Sequence, residues 1–363
     1  MVAAFSAFRA MSLAAPVTAL LDRFQASRPV RAWSLIVTLY GDAIVPRGGS
    51  LWLGSLTGMM ARFGIDAGHV RTATSRLVAD GWLERERIGR NSYYRLSKRE
   101  QASFAAATQR IYFGAERRFD GRLRLALLRP EIADRSALRP LLEREGFAAL
   151  STTIYVGLAD ASPEIGALGG IFLITADPGA SGRAIVEAAF KFAPLARAYR
   201  DLLIRFAAID RWLASEPAPA PADALVARVL LIHEFRRIVL RDPMLPRALL
   251  PPDWPGAESR ALAGRIYRRL VPAAEMFLDR HARNEHGPLP TPDASFSRRF
   301  AGSCRRIGRA RRPGRLRGAS IAASCRRRRF ISIATRAMRM VRCRPRAQIS
   351  FGASTACRCN SPR

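Results

Sequence analysis

The chain has 363 residues, 49% of them hydrophobic, and a formal net charge of +31. Length and apolar content exclude a disordered protein and allow two or three domains, while the charge favours an anionic partner, nucleic acid before acidic membrane. The charge is uneven, however: residues 301–363 hold 18 of the 60 basic residues and none of the 29 acidic ones, so 42 against 29 leaves +13 for residues 1–300.

Residues 1–28 form an N-terminal extension. Its stretch MSLAAPVTALL is too short for a signal peptide, contains Pro16, and runs into Asp22-Arg23 where a small-residue cleavage site belongs. No run approaches the ~20 apolar residues of a membrane span, so a cytoplasmic protein without membrane association is expected. The first folded unit is expected at 29–97. In RAWSLIVTLYGDAIV, Trp33, Val37, Tyr40 and Ile44 follow helical spacing and predict one buried stripe, which PRGG ends. Ser50 is the expected N-cap of a second helix, LWLGSLTGMMARF, with Trp52, Leu56, Met59, Met60 and Phe63 on one face and Gly64 at its end. Asp66 is placed to cap a third helix that stops at Gly81.

On that third helix Val70, Ala73, Thr74 and Leu77 share one side, leaving His69, Arg71, Thr72, Ser75 and Arg76 outside with no acid among them. Alone, this could be a solvated face. The next segments, WLERERI and SYYRLS, are joined by Gly89-Arg90-Asn91 and form a β-hairpin with a basic tip that also carries Arg85 and Arg87. Three helices and a hairpin make a winged helix-turn-helix, whose third helix enters the major groove and whose hairpin is the wing. Arginine bonds guanine edges bidentately and hydroxyls bond phosphate or base, so this mixture suits a groove. Trp52, Trp82, Tyr93 and Tyr94 read as core of the wing rather than stacking platforms.

A linker helix is expected over 98–118, with Phe104, Thr108, Ile111 and Tyr112 on one side. The strand RLRLALL (122–128), the helix RSALRPLLEREG (135–146) and the strands FAALSTTIYVGL (147–158) and GGIFLITAD (169–177) predict a ferredoxin-like middle domain at 119–180. Residues 181–295 are expected to be a helical C-terminal domain: helices to Ala193 and to Ala214, a Pro/Ala linker SEPAPAPA, a helix over 223–240, and one over 257–284 interrupted at Pro272. The overall fold class is therefore α+β. Residues 296–363 are a tail that gathers all five cysteines, holds Arg but no Lys or acid, and has one leucine, a switch that reads as a disordered arm or as translation in the wrong frame.

Enzymatic motifs are not found. His233-Glu234 begins like a zinc-protease helix, but position 237 is Arg where the second imidazole belongs, and no nucleophile elbow, Walker loop or dinucleotide fingerprint occurs. No catalytic residue, metal or cofactor is expected.

SLIVTLYGDAIVPRGGSLWLGSL and FGIDAGHVRTATSRLVADGWLERERIGRNSYYRLS closely resemble the PaaX family of transcriptional repressors, as do STTIYVGLAD and LIHEFRRIVLRDPMLPRALLPPDWPG; the resemblance covers roughly residues 16–295. It implies a repressor of aromatic, phenylacetate-type catabolism that binds double-stranded operator DNA as a homodimer and is released by an acyl-CoA such as phenylacetyl-CoA. Coenzyme A is polyanionic, and His233, Arg236 and Arg237 are candidates to meet it in a cleft between the middle and C-terminal domains, although they read equally as surface charge. The competing class is an acyl-CoA-handling or nucleic-acid-processing enzyme that uses the wing only to dock.

Overall fold

The computed structural model describes residues 13–27, 31–114, 119–130, 135–158, 161, 163–166, 169–215 and 218–292. The Arg- and Cys-rich tail lies outside the described residues. Helix α1 (Ala15–Ala26) leads into α2 (Ala32–Leu39), β1 (Ser50–Trp52), α3 (Leu53–Ala61), α4 (Ala67–Ala79), the hairpin β2 (Leu83–Ile88) and β3 (Asn91–Leu96), and α5 (Lys98–Thr108). α4 forms as its sequence demands: Asp66 is extended and accepts a hydrogen bond from the His69 backbone N–H at 2.9 Å, while Val70, Ala73, Thr74 and Leu77 are buried. After α4, Gly81 takes φ +74, and the Trp82 N–H returns to the Leu77 carbonyl at 2.8 Å.

Two local expectations need correction. The stripe on α2 is wider than Trp33, Val37, Tyr40 and Ile44: Leu35, Ile36 and Leu39 are fully buried, whereas Trp33 and Val37 are half-buried. α2 packs against α4 and also against a C-terminal helix, so both of its sides are covered. Ser50 does not cap α3. It pairs with Arg95 as the start of β1, with Leu51 opposite Tyr94 and Trp52 opposite Tyr93, and the hairpin becomes a three-stranded sheet in the order β1-β3-β2. The left-handed Gly48 and Gly49 bring the chain round to that edge, and Trp52, at the N-cap of α3 without a side-chain bond, is exposed rather than core.

The segments Tyr40–Ile44 and Gln109–Phe113, which continue α2 and α5, are both π-type turns. Beyond the second come β4 (Leu123–Leu128), α6 (Arg135–Arg144), β5 (Ala148–Ala149), β6 (Ile154–Gly157), α7 (Pro163–Gly166) and β7 (Ile171–Ala176). Their sheet runs β5-β6-β4-β7 with every neighbour antiparallel. Residues 147–158, expected as one strand, are a hairpin, because the Ser151 hydroxyl accepts from the Thr153 and Ile154 N–H groups and turns the chain. One face of this sheet has its own core of Ala126, Leu128, Leu142, Phe147, Tyr155 and Ile165.

The remaining elements are α8 (Gly182–Phe190), α9 (Ala193–Ser215), α10 (Pro221–Val239), α11 (Gly256–His281) and a short hairpin, β8 (Arg283–Asn284) with β9 (Gly287–Pro288). α11 runs through Pro272 without interruption, since Pro272 sits on the exposed side while Leu270, Ala273 and Ala274 anchor the other. α10 is buried almost all round because α1, α2, α9 and α11 pack on it. A single hydrophobic core therefore runs from Val17 of α1 through α2–α5 to Leu289 after β9. Among the described residues no helix is long and apolar enough to cross a membrane.

Candidate nucleic-acid interface

The residues singled out on α4 are all on its outer face: His69, Arg71, Thr72, Ser75 and Arg76 are exposed. Their local ties leave most donors available. Thr72 donates to the Gly68 carbonyl, Arg76 lies 3.7 Å from Asp80 one turn on, and His69 Nδ1 is 2.5 Å from Asp66 Oδ2. The Asp66 carboxyl is held below its ordinary pKa, chiefly by the His69 backbone N–H and then by its ring. Asp66 thus works at the helix start as cap and as partner of His69, so the acids beside this face, Asp66 and Asp80, sit at its two ends and are both engaged.

The β2–β3 hairpin is electrically two-sided. Register places Leu83, Arg85 and Arg87 opposite Leu96, Tyr94 and Ser92, so these six share one face, and its buried members Leu83, Tyr94 and Leu96 define it as the face toward the core and α4. Arg85 and Arg87 extend that face beyond the core and are exposed; Arg85 donates to the Ser92 hydroxyl and Arg87 to the Gly89 carbonyl. Glu84 and Glu86 alternate onto the opposite face, where Glu86 pairs with Arg95 and Glu84 accepts from the Lys98 N–H. Arg90 and Asn91 are exposed at the tip, and Arg71 and Arg90 have no acidic partner among the described residues. Strand alternation thereby puts Arg85 and Arg87 on the hairpin face that continues from the core, and Glu84 and Glu86 on the other.

The far face is bedded on the C-terminal hairpin, a feature the sequence did not announce. The Ser50 hydroxyl donates to Glu285 Oε2 at 2.5 Å, and Arg95 lies 3.7 Å from Glu285 Oε1. The Ser55 hydroxyl reaches the His281 carbonyl and accepts from the Arg283 N–H. In sequence these partners are far apart, and no local pattern signals such a pairing.

The three side chains proposed for an acyl-CoA divide. His233 is buried, its Nδ1 3.1 Å from the Thr38 hydroxyl and its ring edge-on to Phe24; burial first, then Arg236 and Arg237, holds its pKa well below the ordinary value. Arg236 donates to the Ser34 carbonyl and hydroxyl at 2.8 and 2.7 Å, and burial followed by Arg237 lowers it to about 10. His233 faces α1 and α2 and Arg236 faces α2, not a cleft against the middle sheet, which corrects the expected placement: α10 is enclosed, and these polar groups serve its helix contacts. Arg237 alone is exposed. The cleft between the middle sheet and the C-terminal part, about 380 Å³, is lined instead by Phe119, Asp177, Arg183, Ala248 and Leu249 among others.

The architecture is that of a mixed helix-and-sheet protein that exposes cationic side chains on the outer face of one helix and on one face of the hairpin that follows it. Comparison with known proteins gives the family. The model of the PaaX-like protein matches residues 31–100, and that of the PaaX-like protein C-terminal domain matches residues 190–280. The transcriptional repressor PaaX of Escherichia coli (strain K12) is 35% identical over 291 residues, which cover 76% of this chain and 91% of that protein. An uncharacterized protein from Mycobacterium tuberculosis aligns in structure with a TM-score of 0.43 at 24% identity, over 60% of this chain and 89% of its own. The chain belongs to the PaaX family.

Proposed function

We propose that this protein is a transcriptional repressor, a DNA-binding regulator rather than an enzyme, whose α2, α3, α4 and β1–β3 form a winged helix-turn-helix. In this reading α4 enters the major groove, with Arg71 and Arg76 addressing base edges and His69, Thr72 and Ser75 completing the contact. Arg85, Arg87, Arg90 and Asn91 of the wing hold phosphate or the adjacent minor groove. The observation that carries this is the segregation of charge: the outer face of α4 exposes Arg71 and Arg76, and Arg85 and Arg87 share one face of the hairpin while Glu84 and Glu86 alternate onto the other. The family relation to a named repressor supports it independently.

The middle sheet, in the order β5-β6-β4-β7 with crossings through α6 and α7, fits a ferredoxin-like domain, and the helices from α8 onward fit the C-terminal effector and dimer domain. A homodimer on a two-fold operator presents two α4 helices about one DNA turn apart, and an acyl-CoA of the phenylacetyl type would release it by changing their relative orientation. A cytoplasmic location accords with that role. The test is fluorescence anisotropy of the full chain on duplexes from its own upstream region. Specific binding that phenylacetyl-CoA weakens is the expected result. Turnover of a CoA ester without any duplex binding would instead support the enzyme class.

A further inference from the structure

Beneath the exposed face lies a buried ionic cluster that the proposed DNA contact does not use. Asp42 and Arg47, from the segment after α2, and Arg228 of α10 are 0%, 1% and 2% exposed in their side chains. Arg228 Nε donates to Asp42 Oδ2 at 2.7 Å, and its Nη2 to the Asp42 carbonyl at 3.1 Å. The hydroxyls of Tyr112 and Tyr267 both donate to Asp42 Oδ1, at 2.5 and 2.9 Å. Glu275 of α11 bridges the two arginines: Oε1 accepts from Arg228 Nη1 and Oε2 from Arg47 Nε, the latter at 2.8 Å. Arg47 Nη1 continues to Asp279 Oδ1 at 2.8 Å and to the Pro290 carbonyl at 3.3 Å.

Three observations set this cluster apart from ordinary packing. Its charges are buried, and since well-packed apolar replacements of buried ion pairs are often no less stable, such a cluster is better read for the geometry it specifies than for stability. Both π-type turns end in it, Asp42 from Tyr40–Ile44 and Tyr112 from Gln109–Phe113, and such turns concentrate at functional positions. Finally, α2 lies between α4 and α10, so whatever fixes the end of α2 also fixes the tilt of α4.

We infer that Glu275 is a positioning residue through which the C-terminal helices set the orientation of α4. One carboxylate oxygen holds Arg228 on α10 and the other holds Arg47 behind α2, so a sliding of α11 against α10 must release one arginine. The released arginine keeps one carboxylate, Asp42 for Arg228 or Asp279 for Arg47, but loses a buried charged hydrogen bond, and closely packed elements move between discrete arrangements rather than by degrees. Its regulatory purpose rests on the proposed repressor role, but its test does not.

The test is amide hydrogen exchange on the full chain carrying Glu275→Gln, which keeps the shape and removes the charge. Exchange across residues 67–79 and 40–44 is expected to quicken by about tenfold, while β4, β6 and β7, which have a core cluster of their own, stay within about twofold of the parent. Asp279→Asn, which loses only the half-exposed outer carboxylate, is expected to leave α4 within about twofold as well. Quickening confined to α10 and α11, or equal in the sheet and in α4, overturns the inference. Should Glu275→Gln fail to fold, Arg47→Lys keeps the charge but loses the two-nitrogen grip, and the same pattern is expected of it. Operator binding by the parent, measured alongside, judges the repressor role separately.

Discussion

At the scale of single residues, Asp66, His233 and Gly64 each have a measurable part. Asp66 both caps α4 and engages His69, so Asp66→Ala should lower the midpoint of a denaturant or thermal unfolding experiment, as the loss of a helix cap does. An unchanged stability would mean that the cap contributes nothing. His233 is held neutral well below the ordinary value of 6.5, so an unfolded chain takes up its proton first as the pH falls. The stability due to neutral His233 is therefore complete above about pH 6.5 and declines below it, and His233→Asn should flatten stability against pH between about 6.5 and 5. A slope identical to that of the parent would show that His233 is not the group responsible. Gly64 takes φ +72, and a Cβ there would approach the Gln25 amide, which itself donates to the Phe63 carbonyl; Gly64→Ala should lower the melting temperature by straining the turn into α4.

At the scale of elements, the alternation along β2 is the decisive feature. If Arg85 and Arg87 face the duplex and Glu84 and Glu86 do not, Arg85→Ala or Arg87→Ala should weaken binding on all sequences and reduce the salt slope by about 1 each, whereas Glu84→Gln should not. Equal effects from both faces would refute the two-sided wing. The outer face of α4 was legible in the sequence because helical spacing, an N-cap aspartate and a glycine just past the end are local signals. β1 was not, since Ser50-Leu51-Trp52 becomes a strand only through pairing with the distant Arg95-Tyr94-Tyr93. The turn within 147–158 was missed because its apolar run hides a reversal made by Ser151. Pro272 misled for a related reason: a helix anchored along one side tolerates a missing hydrogen bond on the other. Pro272→Ala should restore that bond and raise the melting temperature.

At the scale of the whole molecule, α2–α4 with their hairpin share a core with the C-terminal helices and are pinned to them by charges drawn from distant parts of the chain, which periodicity cannot reveal. Asp42 was invisible as a functional position because its partners, Tyr112, Arg228 and Tyr267, meet only after folding. The same limit applies to the net charge. The +31 total directs attention to the tail, whereas the candidate interface consists of a few donors exposed on the outer face of a helix and on one face of the hairpin after it. The measurement that tests this most directly is the affinity of Arg71→Ala for an upstream duplex and for a scrambled one, each followed across salt. The expected result is a loss of about 1–3 kcal/mol on the specific duplex and a clearly smaller loss on the scrambled one. Equal losses on both would contradict base recognition by α4, leaving it as a phosphate contact alone.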